Sequence, residues 1–530
     1  NDTLLAATTR DFVGRTTTIV EGDARHELRF DVRGNLLWRG RGDQGVRWEY
    51  DQNSRRTCMI RPNGQSTSYE YDANNRVSTF IQEGLGRVVI DRDSLGRIVS
   101  VFADGLYASW EYADGAVVRQ RVERNGFISE SVITRDENGR VVADKTDGIT
   151  TFYSYDQTGQ LVRAQTSEGL VTTWEYDANG RMVVEDAAGT VSRFTYDAAS
   201  QLVSVTNSDG TTTYAYDDAG RRVREQGPAG ERRFTWDPRG FLDSITQINH
   251  DGDKVAAQTQ RLWVDALGEL ARVDQDSVWW DSSSFMPTLV QYGARSVVTE
   301  AGITGMIDGP DASWLPPQWS ARDHGGNPMD PWAVATNVGV SAQGSLLVQG
   351  MEWMQARVYD PATRGFLSTD PLPGVAGAGW SGNPYAFAGN DPVNFSDPLG
   401  LRPLTDEDLK GYRDAARSPL AKAADAAGGW LKNNWEYVAG GAMVAAGGVL
   451  MATGVGGPLG GVLLGAGIDT IAQKATTGSV TWGEVAVSGA AGLVGGGLGA
   501  AAGKWAAGKA ATCLGKNVVS GLTEGAIDGG

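Results

Sequence analysis

Histidine and cysteine are scarce in this chain of 530 residues. It has three histidines, His26, His250 and His324, and two cysteines, Cys58 and Cys513, which lie far apart in the sequence. No two histidines are spaced as metal ligands, so a histidine-rich metal site and a Ser-His-Asp triad are poorly supported. Two distant thiols make neither a disulfide framework nor a zinc knuckle. We therefore expect no metal and no cofactor.

Positive charge is also in deficit. The chain has 47 Lys and Arg against 64 Asp and Glu, and its net charge is −17. A general nucleic-acid-binding surface needs a basic footprint, so nucleic acid is not an expected partner.

The first residues carry no secretion signal. The segment NDTLLAATTRDF lacks both a basic region and an apolar region of the kind that signal peptides have. The chain opens inside a pattern, so we expect a fragment of a longer protein whose targeting signal is not in this sequence.

What the chain does contain is a repeat. The motif aromatic-x-aromatic-Asp recurs over the first half of the sequence. Its clear copies end at Asp51, Asp72, Asp156, Asp177, Asp197, Asp217 and Asp237, and weaker copies end at Asp93, Asp136 and Asp265. From Asp156 to Asp237 the aspartates are 21, 20, 20 and 20 residues apart. A fixed period of this length indicates a repeat architecture.

Each unit predicts two strands and two turns. In one unit, the β-rich run 182–185 is followed by a turn at 186–189, a second strand at 190–196 and a further turn at 197–200. Asp caps a turn by accepting hydrogen bonds from its own backbone, and Gly tolerates positive φ. The two aromatics of a motif point to one face of a strand, so stacked units predict an aromatic ladder on a long antiparallel sheet. Packing explains this ladder better than sugar binding does, because a short repeat must bury its face against its neighbours.

The extended pattern Y-x-Y-D-x-x-G-R-L resembles the YD repeats of bacterial Rhs proteins, of the C component of Tc toxin complexes and of teneurins. The resemblance covers roughly residues 28–401. It implies a mainly β fold in which antiparallel hairpins spiral into a hollow shell. We assign residues 1–275 to this repeat shell and the Trp- and Pro-rich residues 276–356 to an irregular end of the shell or a plug.

Residues 357–401 resemble the Rhs repeat-associated core domain. The resemblance rests on GFLSTDP at 365–371 and on NPYAFAGNDPVNFSDPLGL at 383–401. In family members that carry polymorphic toxins, this region is an intramolecular aspartyl protease that cuts after the Leu of a terminal D-P-x-G-L. The resemblance therefore implies Asp370 and Asp397 as the catalytic pair and the bond between Leu401 and Arg402 as the cleavage site.

The chemistry expected there is that of an aspartic dyad. Two carboxyls held close do not both ionise, so one donates to the carbonyl while the other activates water. The motif after Asp370 has one residue more before its Gly than the terminal motif has, so Asp391 is the alternative partner of Asp397. Arg364 lies near Asp370 in the sequence and is a candidate supporting cation, or a member of a surface ion pair. The competing interpretation is that these Asp-Pro steps are only turns.

Residues 402–530 change composition abruptly and predict a Gly/Ala-rich α-helical region, a pretoxin or a linker. The stretches 437–468 and 485–503 contain no charged residue and are long enough to span a bilayer. They predict either a membrane-crossing helical hairpin or a helix pair packed inside the shell.

The leading hypothesis is a polymorphic toxin shell that encloses its own C-terminal toxin region and releases it by a single-turnover autoproteolysis, for competition between bacteria. Such a protein would be secreted or displayed on the cell surface, and the full-length protein would have a secretion machinery and an immunity protein as partners. The alternative is a YD-repeat adhesion or carbohydrate-binding protein without cleavage. Cleavage into residues 1–401 and 402–530 separates the two hypotheses.

Overall fold

The computed structural model describes most of the chain up to Leu401. The described residues are 7–11, 15–21, 24–251, 254–283, 287–320, 322–328, 331–372, 378–401 and 403. The chain divides into two compact units, one of Asn1–Asp370 with Gly374–Lys410 and one of Pro371–Pro373 with Gly411–Gly530. The α-helical region predicted after residue 402, with the stretches 437–468 and 485–503, lies outside the described residues. Among the residues that are described, no helix has the length and hydropathy to cross a membrane.

The first unit is built on a ribbon of short strands. In chain order they are β1 (Ala7–Asp11), β2 (Thr16–Glu21), β3 (Ala24–Phe30), β4 (Leu36–Arg41), β5 (Gln44–Tyr50), β6 (Arg56–Ile60), β7 (Ser66–Tyr71), β8 (Val77–Gln82), β9 (Gly86–Arg92), β10 (Ile98–Ala103), β11 (Leu106–Ala113), β12 (Ala116–Arg124), β13 (Phe127–Arg135), β14 (Val141–Thr146), β15 (Ile149–Tyr155), β16 (Leu161–Thr166), β17 (Val171–Tyr176), β18 (Met182–Ala187), β19 (Thr190–Tyr196), β20 (Leu202–Asn207), β21 (Gly210–Tyr216), β22 (Arg222–Gly227), β23 (Gly230–Trp236), β24 (Leu242–Asp251) and β25 (Lys254–Val264).

The ribbon continues through β26 (Leu270–Val273), β27 (Asp276–Asp281), β28 (Thr288–Tyr292), β29 (Arg295–Glu300), β30 (Ile303–Asp308) and β31 (Asp311–Trp314). A second, smaller sheet holds β32 (Trp332–Ala335), β33 (Val338–Val340), β34 (Leu346–Val348), β35 (Met351–Met354), β36 (Arg357–Asp360) and β37 (Gly365–Phe366), and a 3₁₀ turn follows at Ala388–Asn390. Within each sheet every strand pairs antiparallel with the next strand in the sequence. The fold is therefore mainly β, with a long antiparallel sheet.

The repeat unit has the predicted strands, but one turn is tighter than expected. Strand β18 runs on to Ala187, and the hairpin to β19 is closed by Ala188 and Gly189, with φ of 53° and 92°. Positive φ at both central positions is the geometry that matches the twist of a two-residue hairpin. Asp186, expected in the turn, therefore belongs to the strand and accepts a hydrogen bond from the amide of Gly189.

The opposite turn explains the repeating Asp and Arg. Asp177 Oδ1 accepts hydrogen bonds from the amides of Asn179 (2.9 Å) and Arg181 (3.0 Å). Its Oδ2 accepts from Arg181 Nε at 2.7 Å. The Arg181 guanidinium lies 5.2 Å from the ring centroid of Tyr196 in the next unit, and the Tyr196 hydroxyl donates to the Met182 carbonyl at 2.8 Å. This unit thus caps its own turn and binds the following unit.

The same arrangement recurs along the ribbon. The other copies are Asp51–Arg55–Tyr71, Asp93–Arg97–Tyr112, Asp136–Arg140–Tyr155 and Asp217–Arg221–Trp236. In each copy the tyrosine hydroxyl, or the indole N–H of Trp236, donates a hydrogen bond to a backbone carbonyl of the preceding unit. The predicted turn caps and aromatic ladder are both present, and their role is internal bonding.

Late strands of the ribbon pack across early ones. The Trp48 indole of β5 donates to Asp281 of β27 at 3.0 Å, and Arg61, after β6, donates to the carbonyls of Val290 (3.0 Å) and Val297 (3.2 Å). Trp48 and Arg61 are both buried. Since buried polar groups need partners, these bonds fix the late strands over the early ones.

The segment 276–356 is more regular than its composition suggested. It holds strands β27 to β35, and its prolines lie in the connections between them. Proline has no amide hydrogen to donate to a ladder, which accounts for this placement.

Candidate active site

The core motif folds onto the end of the smaller sheet. Strand β36 begins at Arg357, and a turn follows it before β37. The amide of Phe366 in β37 donates to the Tyr385 carbonyl at 3.0 Å, and the amide of Leu367 donates to the Val358 carbonyl at 2.9 Å. These bonds bring the two halves of the motif together around the side chain of Arg357. That side chain is buried, with its guanidinium carbon 3.6 Å from the ring centroid of Phe366.

One nitrogen of Arg357 joins the two predicted catalytic aspartates. Its Nη2 lies 3.1 Å from Asp370 Oδ2 and 3.2 Å from Asp397 Oδ2. Because both oxygens contact the same nitrogen, the distance between them is at most the sum of these two distances. The Asp397 side chain is 1% exposed and the Asp370 side chain is 17% exposed, so Asp397 is buried and Asp370 keeps some access to solvent.

The predicted cleavage site approaches this pair through its backbone. The amide of Leu401 donates to Asp397 Oδ1 at 2.8 Å, and Arg357 Nε donates to the Gly400 carbonyl. Gly400 has φ of 64°, and a Cβ there would lie 2.5 Å from the Met354 carbonyl oxygen. Only glycine fits this close approach. Leu401 is buried, whereas Arg402 lies outside the described residues.

Asp391, the alternative partner, lies in a different environment. It is fully buried, accepts a hydrogen bond from Asn394 Nδ2 at 2.8 Å, and faces Tyr155 and Arg140 of the ribbon. Burial raises the pKa of Asp391 to about 7, against an opposing contribution from the hydrogen bonds of Asn394. Asp391 thus holds Asn394, whose side chain bonds the ribbon at the amide of Val141 and the hydroxyl of Tyr155.

Arg364, the candidate supporting cation, also points elsewhere. Its guanidinium lies 4.4 Å from the ring centroid of Trp174 and 3.9 Å from the carboxylate of Glu185, and it donates to the His324 carbonyl at 2.6 Å. A cation that does contact Asp370 is Arg357, a residue that the sequence analysis did not single out as a site residue. The available signal in the sequence was the position of Arg357, a charged residue next to the apolar Val358 and close to Met354.

The arrangement is suited to acid–base chemistry on a peptide bond. Two carboxyls and one guanidinium meet beside the backbone of Gly400 and Leu401, in a buried setting that strengthens electrostatic interactions. Within the described ranges no three Asp, Glu, His or Cys side chains are grouped so that they could hold a metal ion.

Comparison with protein families finds the RHS Repeat model at residues 155–191, 176–212 and 196–232. These residues run from the end of β15 into β23, where the ladder is most regular. No curated protein matches the chain.

Several solved structures are similar to the chain at low identity. They include the crystal structure of TcdB2-TccC3-Cdc42 (15% identity, TM-score 0.42), that of TcdB2-TccC3 without hypervariable C-terminal region (12%, 0.29) and the Photorhabdus luminescens Tc holotoxin pore (13%, 0.22). Each match covers 75% of this chain, but only 27%, 34% and 32% of the respective matched chain. The chain thus spans about a quarter to a third of the length of these proteins.

Proposed function

Because the chain is an Rhs/YD-repeat protein with RHS repeats at residues 155–232, we propose that it is part of a toxin shell that cuts its own backbone after Leu401. In this proposal the β ribbon closes into a hollow shell around the residues that follow the cut. The enclosed region is a toxin used in competition between bacteria. The whole protein is secreted or displayed at the cell surface and works with a secretion machinery and an immunity protein.

The observation that carries the proposal is the sharing of Arg357 by Asp370 and Asp397. Two carboxyls with one proton between them carry one negative charge, which the single guanidinium balances. A neutral cluster of this kind offsets the cost of burying its charges. The carboxyl that keeps the proton is the acid, and the ionised one is the base.

The reaction follows from these roles. The ionised carboxyl removes a proton from a water molecule as its oxygen attacks the Leu401 carbonyl carbon. The protonated carboxyl donates a hydrogen bond to the carbonyl oxygen, on which negative charge develops. The intermediate collapses with cleavage of the bond to the nitrogen of Arg402, which takes from the first carboxyl the proton that it removed from water and leaves as an amine. The products are the carboxylate of Leu401 and the new amino terminus.

Cleavage of this kind is limited to one turnover. The Leu401 amide and the Gly400 carbonyl are held by Asp397 and Arg357, so the product end stays in the site. The same bonds hold the peptide before the cut, which supplies the proximity that an intramolecular reaction exploits.

Denaturing gel electrophoresis with intact-mass measurement tests the proposal. We expect the folded chain to give two pieces, residues 1–401 and 402–530, and Asp397→Asn to give only the uncut chain. The matched control is Asp209→Asn, at an exposed hairpin end, which should cleave as the wild type does. A folded wild-type chain that stays in one piece would refute autoproteolysis and favour the adhesion alternative.

Enclosure is tested separately on the cleaved protein. The two pieces should elute together from a gel-filtration column under native conditions and separate only in denaturant. The piece 402–530 should resist a protease that degrades it rapidly once denatured. Free release of that piece under native conditions would contradict the shell.

A further inference from the structure

A segment of the core motif lies across the turn edge of the ribbon. We call residues 378–394 the strap. It reaches five consecutive repeat turns, at 136–141, 156–160, 177–181, 197–201 and 217–221. Its contacts are Asn394 with the amide of Val141 (2.8 Å) and the hydroxyl of Tyr155 (2.8 Å), Asn390 with Gln160 (2.6 Å) and the carbonyl of Gly180 (2.8 Å), the carbonyl of Gly382 with Ser200 (3.1 Å), and Tyr385 with the carbonyl of Gly220 (2.8 Å).

The strap fits two of these turns closely. A Cβ at Gly180 would lie 2.4 Å from the carbonyl oxygen of Gly379, and one at Gly220 would lie 2.8 Å from the Tyr385 hydroxyl. Gly64, in a ribbon turn away from the strap, has nothing within 4 Å of the same position. Gly139 and Gly159, in two other turns that the strap reaches, also have nothing within 4 Å. The close fit is therefore confined to the turns of Gly180 and Gly220, whose glycines serve the strap as well as their own φ.

The strap is joined directly to the candidate active site. The Pro384 carbonyl accepts hydrogen bonds from the amide of Asp370 at 2.8 Å and from Arg357 Nη1 at 3.3 Å. Pro384 stands between two residues that contact repeat turns, Asn383 and Tyr385. A chain of contacts thus runs from a repeat turn through Tyr385 and Pro384 to the catalytic pair.

We propose that the strap makes self-cleavage conditional on the assembled repeats, with Tyr385 as the positioning residue. Tyr385 holds Pro384 in place only when the turn of Gly220 lies in register beneath it. Pro384 in turn fixes Asp370 and Arg357 relative to each other. A chain whose repeats are incomplete or misaligned keeps its peptide bond, so the cut follows completion of the ribbon. This inference rests on the proposed autoproteolysis.

The variant Tyr385→Phe tests it, because it deletes only the hydroxyl that donates to Gly220. Uncleaved chain is purified from inclusion bodies in urea and diluted into native buffer. The folded fraction is followed by tryptophan fluorescence and the cut fraction by mass spectrometry. Loss of this hydroxyl, which donates to the Gly220 carbonyl and also bonds the side chain of Gln201 in the neighbouring turn, should slow cleavage of the folded protein about fivefold to tenfold. The matched control is Tyr71→Phe, which deletes an equivalent bond to the Arg56 carbonyl (2.7 Å) away from the strap.

The pH profile separates positioning from a loss of stability. If Tyr385 acts through Arg357, its loss weakens the hold of the guanidinium on the carboxyls and moves the acid limb of the rate profile to higher pH. A stability effect alone would lower the rate equally at every pH. Equal rates and profiles for Tyr385→Phe and Tyr71→Phe, with a wild type that cleaves, would overturn this inference and leave the autoproteolysis standing. A folded wild type that does not cleave would overturn both.

Discussion

One guanidinium contacts both carboxyls of the candidate site. Arg357 contacts both aspartates and the backbone on either side of them, through Gly400 and Pro384. A planar fork of five donors can serve several acceptors at once, which a lysine ammonium cannot do in a fixed geometry. At the residue scale, Arg357 should matter as much as either carboxyl.

Replacing Arg357 should therefore stop the reaction. Arg357→Met removes the cation that balances the pair, and we expect no cut chain after a day at room temperature. Arg357→Lys keeps the charge without the fork, and should leave at most about a hundredth of the wild-type rate, the equivalent of ~3 kcal/mol. The control is Arg364→Met in the same motif, which should still cleave in its folded fraction. Intact-mass measurement decides, and a cleaving Arg357→Met variant would remove this residue from the mechanism.

Asp391 should make stability depend on pH in the opposite sense to a salt-bridged acid. Its pKa is about 7 in the folded chain against an ordinary value of 3.8, so the folded state holds the proton more tightly. The stabilisation that protonated Asp391 contributes is complete below about pH 4 and is lost as the pH rises to about 7. Over that range the free energy of unfolding falls by at most ~1.4 kcal/mol per pH unit. Asp391→Asn should remove this component. Urea midpoints across the range test it, with Asp218→Asn at an exposed turn position as control. An unchanged difference between wild type and Asp391→Asn at every pH would contradict the assignment.

The residues of the site were only partly predictable from the sequence. The resemblance predicts Asp370 and Asp397 as the pair, and the structure brings both beside Arg357; their catalytic role stays a prediction. Arg364 was chosen because it is close to Asp370 in sequence, but the turn after β36 directs its side chain to the ribbon. Arg357 gave little signal, because its burial depends on Phe366 and on chain segments that meet it only in the folded molecule.

At the scale of elements, the Asp, Arg and aromatic residues of neighbouring units form a bonding scheme that recurs along the ribbon. Burial raises the pKa of Asp177, but hydrogen bonds from Arg181 and the turn amides outweigh it and lower that pKa overall. The stability that Asp177 contributes is present above its unfolded pKa, near 4, and is lost as the pH falls through its lower folded pKa. The ribbon should therefore lose stability in acid, whereas the stabilisation that Asp391 contributes is greatest there.

Breaking one link of the scheme should cost a moderate amount of stability. Arg181→Met loses the ion pair to Asp177 and the stacking on Tyr196, so we expect unfolding free energy to fall by ~1–2 kcal/mol. Arg163→Met is the control, because that exposed strand residue donates a hydrogen bond to the nearby Gln165 of its own strand at 2.8 Å. The comparison uses urea denaturation. Equal losses in both variants would show that the link between units contributes nothing beyond an ordinary surface contact.

The strand positions could be predicted from the sequence, because alternating apolar residues and turn-forming residues determine them within each unit. The two-residue hairpin at Ala188 and Gly189 did not follow. The residues before it read as turn formers, whereas pairing with β19 extends β18 through Asp186 and Ala187. Cross-strand hydrogen bonds outweighed local preference at those positions.

At the scale of the whole first unit, a buried ion pair joins the start of the ribbon to its later strands. Arg39 of β4 contacts Asp265, after β25, at 2.8 Å, and it also donates to Ser282 at 2.7 Å. Both charged side chains are buried. Residues 226 apart in the sequence meet here, and no local pattern could have indicated it, because the meeting depends on the curvature of the sheet. Contacts of such separation also predict slow folding.

Removal of one partner should weaken this closure sharply. Arg39→Met leaves the buried carboxylate of Asp265 without this cation, and we expect a loss of ~3–5 kcal/mol. Arg29→Met, at an exposed position of the neighbouring strand β3, should change stability by about 0.5 kcal/mol or less. Hydrogen exchange should show faster opening of β4 and of the segment around Asp265 in Arg39→Met only. Uniform protection in both variants would mean that packing alone closes the unit.

The strap also bears on how a gene for such a chain can change in length. A tandem duplication of the 20-residue block 177–196 would bring its own copies of Arg181 and Tyr196, so its bonding to neighbouring blocks would be preserved. Placed between Asp177 and Gly220, however, it would carry Gly220 one block away from Tyr385. The contacts of the strap therefore require a fixed number of repeats beneath it. Insertions that survive there should be those that leave the spacing of the five turns unchanged.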